Sequence, residues 1–226
     1  AFMALPSRVA VRPPKPREAK ADGAPRGARG LLSPAILVLT VLFVLLNLST
    51  GAIEKFSVTA LVAGHGVALS VGNTALTAFL FASAFGVLAG GALADRTRRH
   101  GLVAATAFGL AGLLVALVAT VSLPAVWLVL VLGVAGFFTG LIAPSRDMLV
   151  RAAAPPGGEG KAFGIVSTGF NIGGAVGPVM FGWLLDHGLP RGIFWASAGF
   201  MLLTVILTLL QERRAARTRV PQPRMA

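Results

Sequence analysis

The sequence predicts an all-α integral membrane protein that crosses the bilayer six times, and three observations predict it. Hydrophobic residues make up 55% of the 226 positions and charged residues only 12%, about half of the roughly 25% found in soluble domains. With a mean hydropathy of +0.81, a water-soluble fold would leave too much apolar surface uncovered. The apolar residues also gather into runs as long as a bilayer requires, and the basic residues that make up a net charge of +12 fall almost wholly between alternate runs.

A hydrocarbon core of about 30 Å needs about 20 residues of helix. The first uncharged run covers 31–53, between Arg29 and Glu54, with Pro34 suited to an opening helical turn. The second covers 73–94. From 101 to 145 no residue is charged, and as one helix that run would extend about 67 Å, twice the bilayer. It must fold back once, and Ser122-Leu123-Pro124 is the natural turn, because proline disfavours helix in the residue before it and cannot continue the helix it follows. Spans at 101–121 and 125–150 result, followed by 162–185 and 192–210. Residues 1–30, rich in proline and basic side chains, have the composition of a linker. They precede a membrane domain at 31–211, and a basic tail at 212–226 closes the chain. The stretch 54–72 has two readings, an extension of the first helix or a segment along the outer surface, since Gly64-His65-Gly66 interrupts its apolar part.

Orientation follows from the lysines and arginines, which collect in short cytoplasmic loops. Eighteen of the twenty fall in the amino-terminal segment, the loops after the second and fourth spans, and the tail. Only Lys55 and Arg191 lie on the other side. Both termini are therefore expected in the cytoplasm, which requires an even number of spans and independently supports six. The same distribution argues against nucleic acid as a partner, because the basic residues flank membrane helices.

Between the second and third spans stands Gly91-Ala92-Leu93-Ala94-Asp95-Arg96-Thr97-Arg98-Arg99-His100, a small-residue helix end running into a charged turn. It resembles the signature G-x-x-x-D-[RK]-x-G-[RK]-[RK] of the major facilitator superfamily, with Gly91, Asp95, Arg96 and Arg99 matching. Arg98 replaces the family's glycine and His100 its last basic residue. The fifth span reads Gly169-Phe170-Asn171-Ile172-Gly173-Gly174-Ala175-Val176-Gly177-Pro178, followed by Val179-Met180-Phe181-Gly182. Gly169, Gly173 and Gly177 share one helical face, which lets a neighbouring backbone approach closely, and Pro178 is expected to bend the helix. The pattern is similar to the fifth-helix glycine motif of that family's exporters, with Phe181 in place of one glycine. The resemblance covers about 31–212 and implies a six-helix half of a secondary transporter, made of two inverted three-helix repeats. It further implies a conformational gate in which Asp95 faces the neighbouring half and Arg99 reaches Asp147, beside Arg146. On this reading the chain is the carboxy-terminal half, and residues 1–30 are the end of a preceding helix plus the central loop. The alternative within the class is a half-size protein that pairs with itself. The first residue is alanine rather than methionine, which suggests a truncated start.

Polar residues at membrane depth are costly and so are functional candidates. Asn47, Thr50 and Glu54 on the first span, Asn73 and Thr77 on the second, and Asn171 on the fifth are the candidates to line a cavity. For each asparagine an interhelical hydrogen bond that fixes packing is the competing role. Glu54 is the proton-coupling candidate, against the simpler reading of an exposed Glu54-Lys55 pair at the water interface. Glycines at 86 and 90, and at 136 and 140, read as ordinary helix packing.

There is no cysteine, no phosphate-binding G-x-x-x-x-G-K-[ST] loop and no H-E-x-x-H, so neither ATP hydrolysis nor metalloenzyme chemistry is encoded in this segment. No cofactor or metal is expected. The expected function is secondary transport of a small solute across the cell inner membrane, proton-coupled and of exporter type. A membrane scaffold without transport is the competing class. The expected partners are the lipid bilayer, the solute, protons, and another six-helix half.

Overall fold

The computed structural model describes residues 33–97 and 99–218, with side chains as far as Arg213. The linker expected at 1–30 and the tail beyond 218 lie outside the described residues. Within them the chain forms six α-helices, α1 (Pro34–His65), α2 (Leu69–Arg96), α3 (His100–Thr120), α4 (Ala125–Ala153), α5 (Glu159–Asp186) and α6 (Arg191–Thr218). Each contains a segment long and apolar enough to cross a membrane.

The helix limits have local causes. At the start of α1, Ser33 accepts the Ile36 N–H on its side-chain oxygen at 3.4 Å, and Pro34 occupies the first helical position. This helix continues to His65 rather than ending near 53, so the first of the two readings of 54–72 holds. Glu54 and Lys55 lie on the exposed side and do not interrupt the buried face, which carries on through Ser57, Ala60 and Leu61. The helix ends only where Gly66 takes φ +65° and donates its N–H to the Val62 carbonyl, a left-handed cap that glycine adopts without steric cost. Gly188, at φ +68°, stands just beyond the end of α5. Between α3 and α4 the chain turns at 121–124, with Pro124 as the residue preceding α4. Pro144 and Pro178 are accommodated inside continuous helices, which membrane helices tolerate when neighbours satisfy the freed carbonyl.

Charge distinguishes the two ends of the bundle. The α2–α3 turn, the α4–α5 loop and the end of α6 form a charged end, and the other three turns the opposite end, which carries only Asp186 and Arg191, one charge of each sign, and is called the uncharged end. Side by side, α2 packs chiefly on α4, and α5 on α1. Both pairs are parallel, since contacts advance together along the chain (Gly136 with Phe79 and Gly140 with Ser83; Gly169 with Thr40 and Gly173 with Val44). Further, α3 packs on α4, α6 on α1, and α3 on α6. Exchanging the first three helices for the last three leaves that pattern unchanged while reversing every direction. This is the signature of two inverted three-helix repeats. The core is built from Phe79, Phe108, Phe181, Phe194 and Met201, all fully buried. Of the six spans, α1 is the most buried and α2 and α5 the least.

Candidate functional site

At the charged end, α2 runs out through Ala94 into Asp95 and Arg96, both exposed. The Thr97 hydroxyl oxygen accepts the Arg99 N–H at 3.2 Å, so the turn is closed by a local side-chain contact. Nothing presses on the missing Cβ of Gly91, whereas one at Gly90 would meet the Leu141 backbone of α4. The close approach in this motif therefore belongs to Gly90. Among the described residues Asp95 forms no ion pair, and Arg99 is exposed and does not reach Asp147. The Asp147 carboxylate instead accepts from Nε of its neighbour Arg146 at 3.0 Å.

Arg146 combines this ion pair with contacts to two aromatic rings. Its guanidinium carbon lies 4.7 Å from the centre of the Phe43 ring on α1 and 5.5 Å from that of Phe170 on α5. The two rings meet edge to face at 5.6 Å. Arg146 stands seven residues before the end of α4, about 10 Å inside the helix, and its side chain is 20% exposed against 43% for Asp147. One cation thus joins α4 to both helices of the neighbouring pair. A desolvated guanidinium over aromatic faces is worth about 2 kcal/mol. The sequence marked Arg146 only as a neighbour of Asp147; the two phenylalanines carried no signal of their own.

The α1–α5 seam depends on two of the three expected glycines. A Cβ at Gly169 would meet the Thr40 carbonyl oxygen, and one at Gly173 would lie 2.8 Å from the Asn47 Cβ and 2.9 Å from the Val44 carbonyl oxygen. Gly177 is also buried, but its neighbours are the flexible Phe181 and Leu48 side chains at 3.5 to 3.7 Å, an ordinary contact. Gly173→Ala is accordingly expected to lower the melting temperature in detergent clearly while Gly177→Ala leaves it nearly unchanged; equal effects would contradict this assignment. Pro178 lies on the exposed side of α5. Around the seam, Asn47, Gly51, Lys55, Gly173, Pro178 and Phe181 enclose a space of about 10 Å³, at the lower limit for one water molecule.

The glycines at 86, 90, 136 and 140 do more than the sequence indicated. A Cβ on Gly86 would strike the Phe137 carbonyl oxygen, and one on Gly90 that of Leu141. In return, Gly136 faces the Phe79 carbonyl and Gly140 that of Ser83. Backbone meets backbone from both sides, the closest form of helix packing in membranes.

The remaining polar candidates spread over three helices. Thr50 donates back to the Leu46 carbonyl at 2.9 Å, which satisfies it within its own helix. Glu54, Asn73, Thr77 and Asn171 are exposed on the described bundle, and Asn47 is half-buried at the α5 seam. At the uncharged end an unforeseen cluster ties α1, α3 and α6. Arg191 donates from Nε to the Gly64 carbonyl at 3.0 Å and from Nη2 to the Ser122 hydroxyl at 3.1 Å. His65 lies 2.8 Å from the Val118 carbonyl oxygen, an acceptor that places the proton on Nε2. Deeper in, the Ser197 hydroxyl donates to the Ser49 carbonyl at 2.7 Å, fixing α6 against α1.

Comparison with known proteins agrees with this architecture. Residues 29–225 match the family described as the Major Facilitator Superfamily. The chain is 31% identical over 132 residues to a multidrug resistance protein MdtG of Escherichia fergusonii, covering 58% of this chain and 31% of that protein. It is 32% identical over 133 residues to the MdtG of Serratia proteamaculans, with the same coverages. Against the tetracenomycin C resistance and export protein of Streptomyces glaucescens it is 31% identical over 143 residues, 62% of this chain and 26% of the relative. The match thus spans less than a third of each of these relatives. With a family match over the whole described bundle, six membrane helices and an inverted-repeat packing, the chain belongs to the Major Facilitator Superfamily.

Proposed function

We propose that this six-helix unit is half of a proton-coupled exporter that moves a small amphipathic solute by alternating access. Its family is one of transport proteins rather than enzymes. The observation that carries the reading is the set of polar side chains left exposed at membrane depth on α1, α2 and α5, namely Glu54, Asn73, Thr77 and Asn171. In contact with hydrocarbon such groups are expensive. Facing a water-filled cavity closed by a second half, they are solvated and able to contact a solute. The second half is the rest of the same transporter or another copy of this chain. The comparatively unburied α2 and α5 are the helices it would cover.

In this reading the charged end is cytoplasmic, as the positive-inside rule requires, and with it the start of α1 and the end of α6. Asp95, Arg96 and Arg99 pair across the seam between halves in one state and separate in the other. Arg146, paired with Asp147 on its own helix, holds α4 to α1 and α5 through the change, and Glu54 carries the coupling proton. The export direction draws support from the relatives named for multidrug resistance and for tetracenomycin C export.

The test is flux in liposomes holding the whole transporter, with a fluorescent lipophilic cation as solute and an imposed proton gradient. Asp95→Asn is expected to cut the initial rate about tenfold, equivalent to about 1.4 kcal/mol of lost differential stabilisation, with insertion unchanged. Glu54→Gln should abolish the dependence on the gradient. Wild-type flux in Asp95→Asn would sink the gate assignment, and retained gradient dependence in Glu54→Gln would sink the coupling role.

A further inference from the structure

Far from the polar face, α3 and α6 enclose a groove of about 260 Å³ floored by Gly109, Gly112 and Gly199 and flanked by Trp195 and Leu202. Trp195 is 52% exposed and Leu202 61%. No charged side chain lines the groove. From Trp195 to Val205 the lining runs ten residues along α6, about 15 Å, which equals the hydrocarbon depth of one leaflet in a bilayer of about 30 Å. Toward the uncharged end its lining reaches Trp195, about 6 Å below the first residue of α6, the level at which indoles gather at a membrane surface.

Charge complementarity names the occupant. Arg191 lies one helical turn above Trp195 on the same face of α6, at the head of the stripe that continues through Ala198, Leu202 and Val205. It is exposed, and among the described residues it and Lys55 are the lysines and arginines placed away from the charged end. Its Nε and Nη2 are held by Gly64 and Ser122, while Nη1 has no partner among the described residues. A fixed guanidinium at the membrane rim above a dry channel of leaflet depth matches a phosphate joined to an acyl chain. We propose that the α3–α6 groove is a binding site for one phospholipid of the leaflet at the uncharged end, with its phosphate on Arg191 and an acyl chain lying past Trp195 over Gly199 and Gly112.

The experiment uses the whole protein in phosphatidylethanolamine nanodiscs doped with a phosphatidylethanolamine that carries a diazirine in its acyl chain. After photolysis, labelled peptides are mapped by mass spectrometry. Label is expected to concentrate on 108–116 and 195–205. Gly199→Phe fills the groove without displacing backbone, since a Cβ there meets nothing within 4 Å, and it should lower that label about tenfold relative to label elsewhere. Arg191→Gln should lower it with the phospholipid probe but not with a diazirine fatty alcohol, which has no phosphate. This difference also separates loss of the phosphate contact from loss of the fold. Unchanged groove labelling in Gly199→Phe overturns the proposal. So does a groove protected from lipid in the wild type with covalent dimers formed across it, which would make a second copy the occupant.

Discussion

Gly140→Ala is expected to cost about 3 kcal/mol or more of stability, the upper range for overpacking a close contact, and Gly140→Leu to prevent recovery of folded protein. The reason is geometric. A Cβ at Gly140 would lie 2.8 Å from the Ser83 carbonyl carbon and 2.9 Å from its Cα, atoms of a helix backbone that cannot rotate away. Three further glycines, at 86, 90 and 136, hold the same crossing from both sides, so relief at one point would have to separate α2 from α4 along the whole seam. Thermal unfolding in detergent reads the effect. Gly164→Ala and Gly182→Ala are the controls, because a Cβ at either meets nothing within 4 Å. If Gly140→Ala melted with the controls, the backbone contact described here would be wrong.

Removing the Arg146 side chain should have the next largest effect. Arg146→Ala deletes the ion pair with Asp147 and both ring contacts with Phe43 and Phe170. Asp147 is 43% exposed, so water screens much of the orphaned carboxylate, and the expected loss is about 1–2 kcal/mol. Arg146→Lys keeps the charge but not the planar stacking group and should recover only part. Arg146→Met combined with Asp147→Asn removes both charges while leaving an unbranched chain against the rings, and should be more stable than Arg146→Ala. Flux is expected to fall in all three, because each removes the planar guanidinium that ties α4 to the rings of α1 and α5 at the charged end. A double variant no more stable than Arg146→Ala would show that the ion pair is irrelevant there.

Much of the fold was legible along the chain. The uncharged run from 101 to 145 is too long for one crossing, and it turns at Ser122-Leu123-Pro124 as its length and its proline require. For the first helix the sequence left two readings past Glu54-Lys55, and the extension holds as far as His65, because on an exposed face two charges do not end a helix whose buried face continues. The glycine spacing at 169 and 173 foretold a close seam, while the equal spacing at 86 and 90 and at 136 and 140 gave no hint that the two sets would meet. For the charged end, the sequence offered Asp147 as a partner for Arg99, but the carboxylate is engaged by the residue beside it. Arg191 was only a stray cation until the turn of α6 set it against Gly64 and Ser122.

The sequence by itself determined the number of crossings, their approximate limits and the charge asymmetry between the two ends. These are one-dimensional properties, set by how many consecutive apolar residues span a hydrocarbon layer and by where lysine and arginine interrupt them. Only the tertiary structure decided which helix faces meet. In a bilayer both the buried and the lipid-facing sides of a span are apolar, so hydrophobic periodicity does not select the packed face. Pairing is decided instead by how closely two backbones approach and by polar contacts between residues far apart in the chain, such as Arg146 with Phe43 and Ser197 with Ser49.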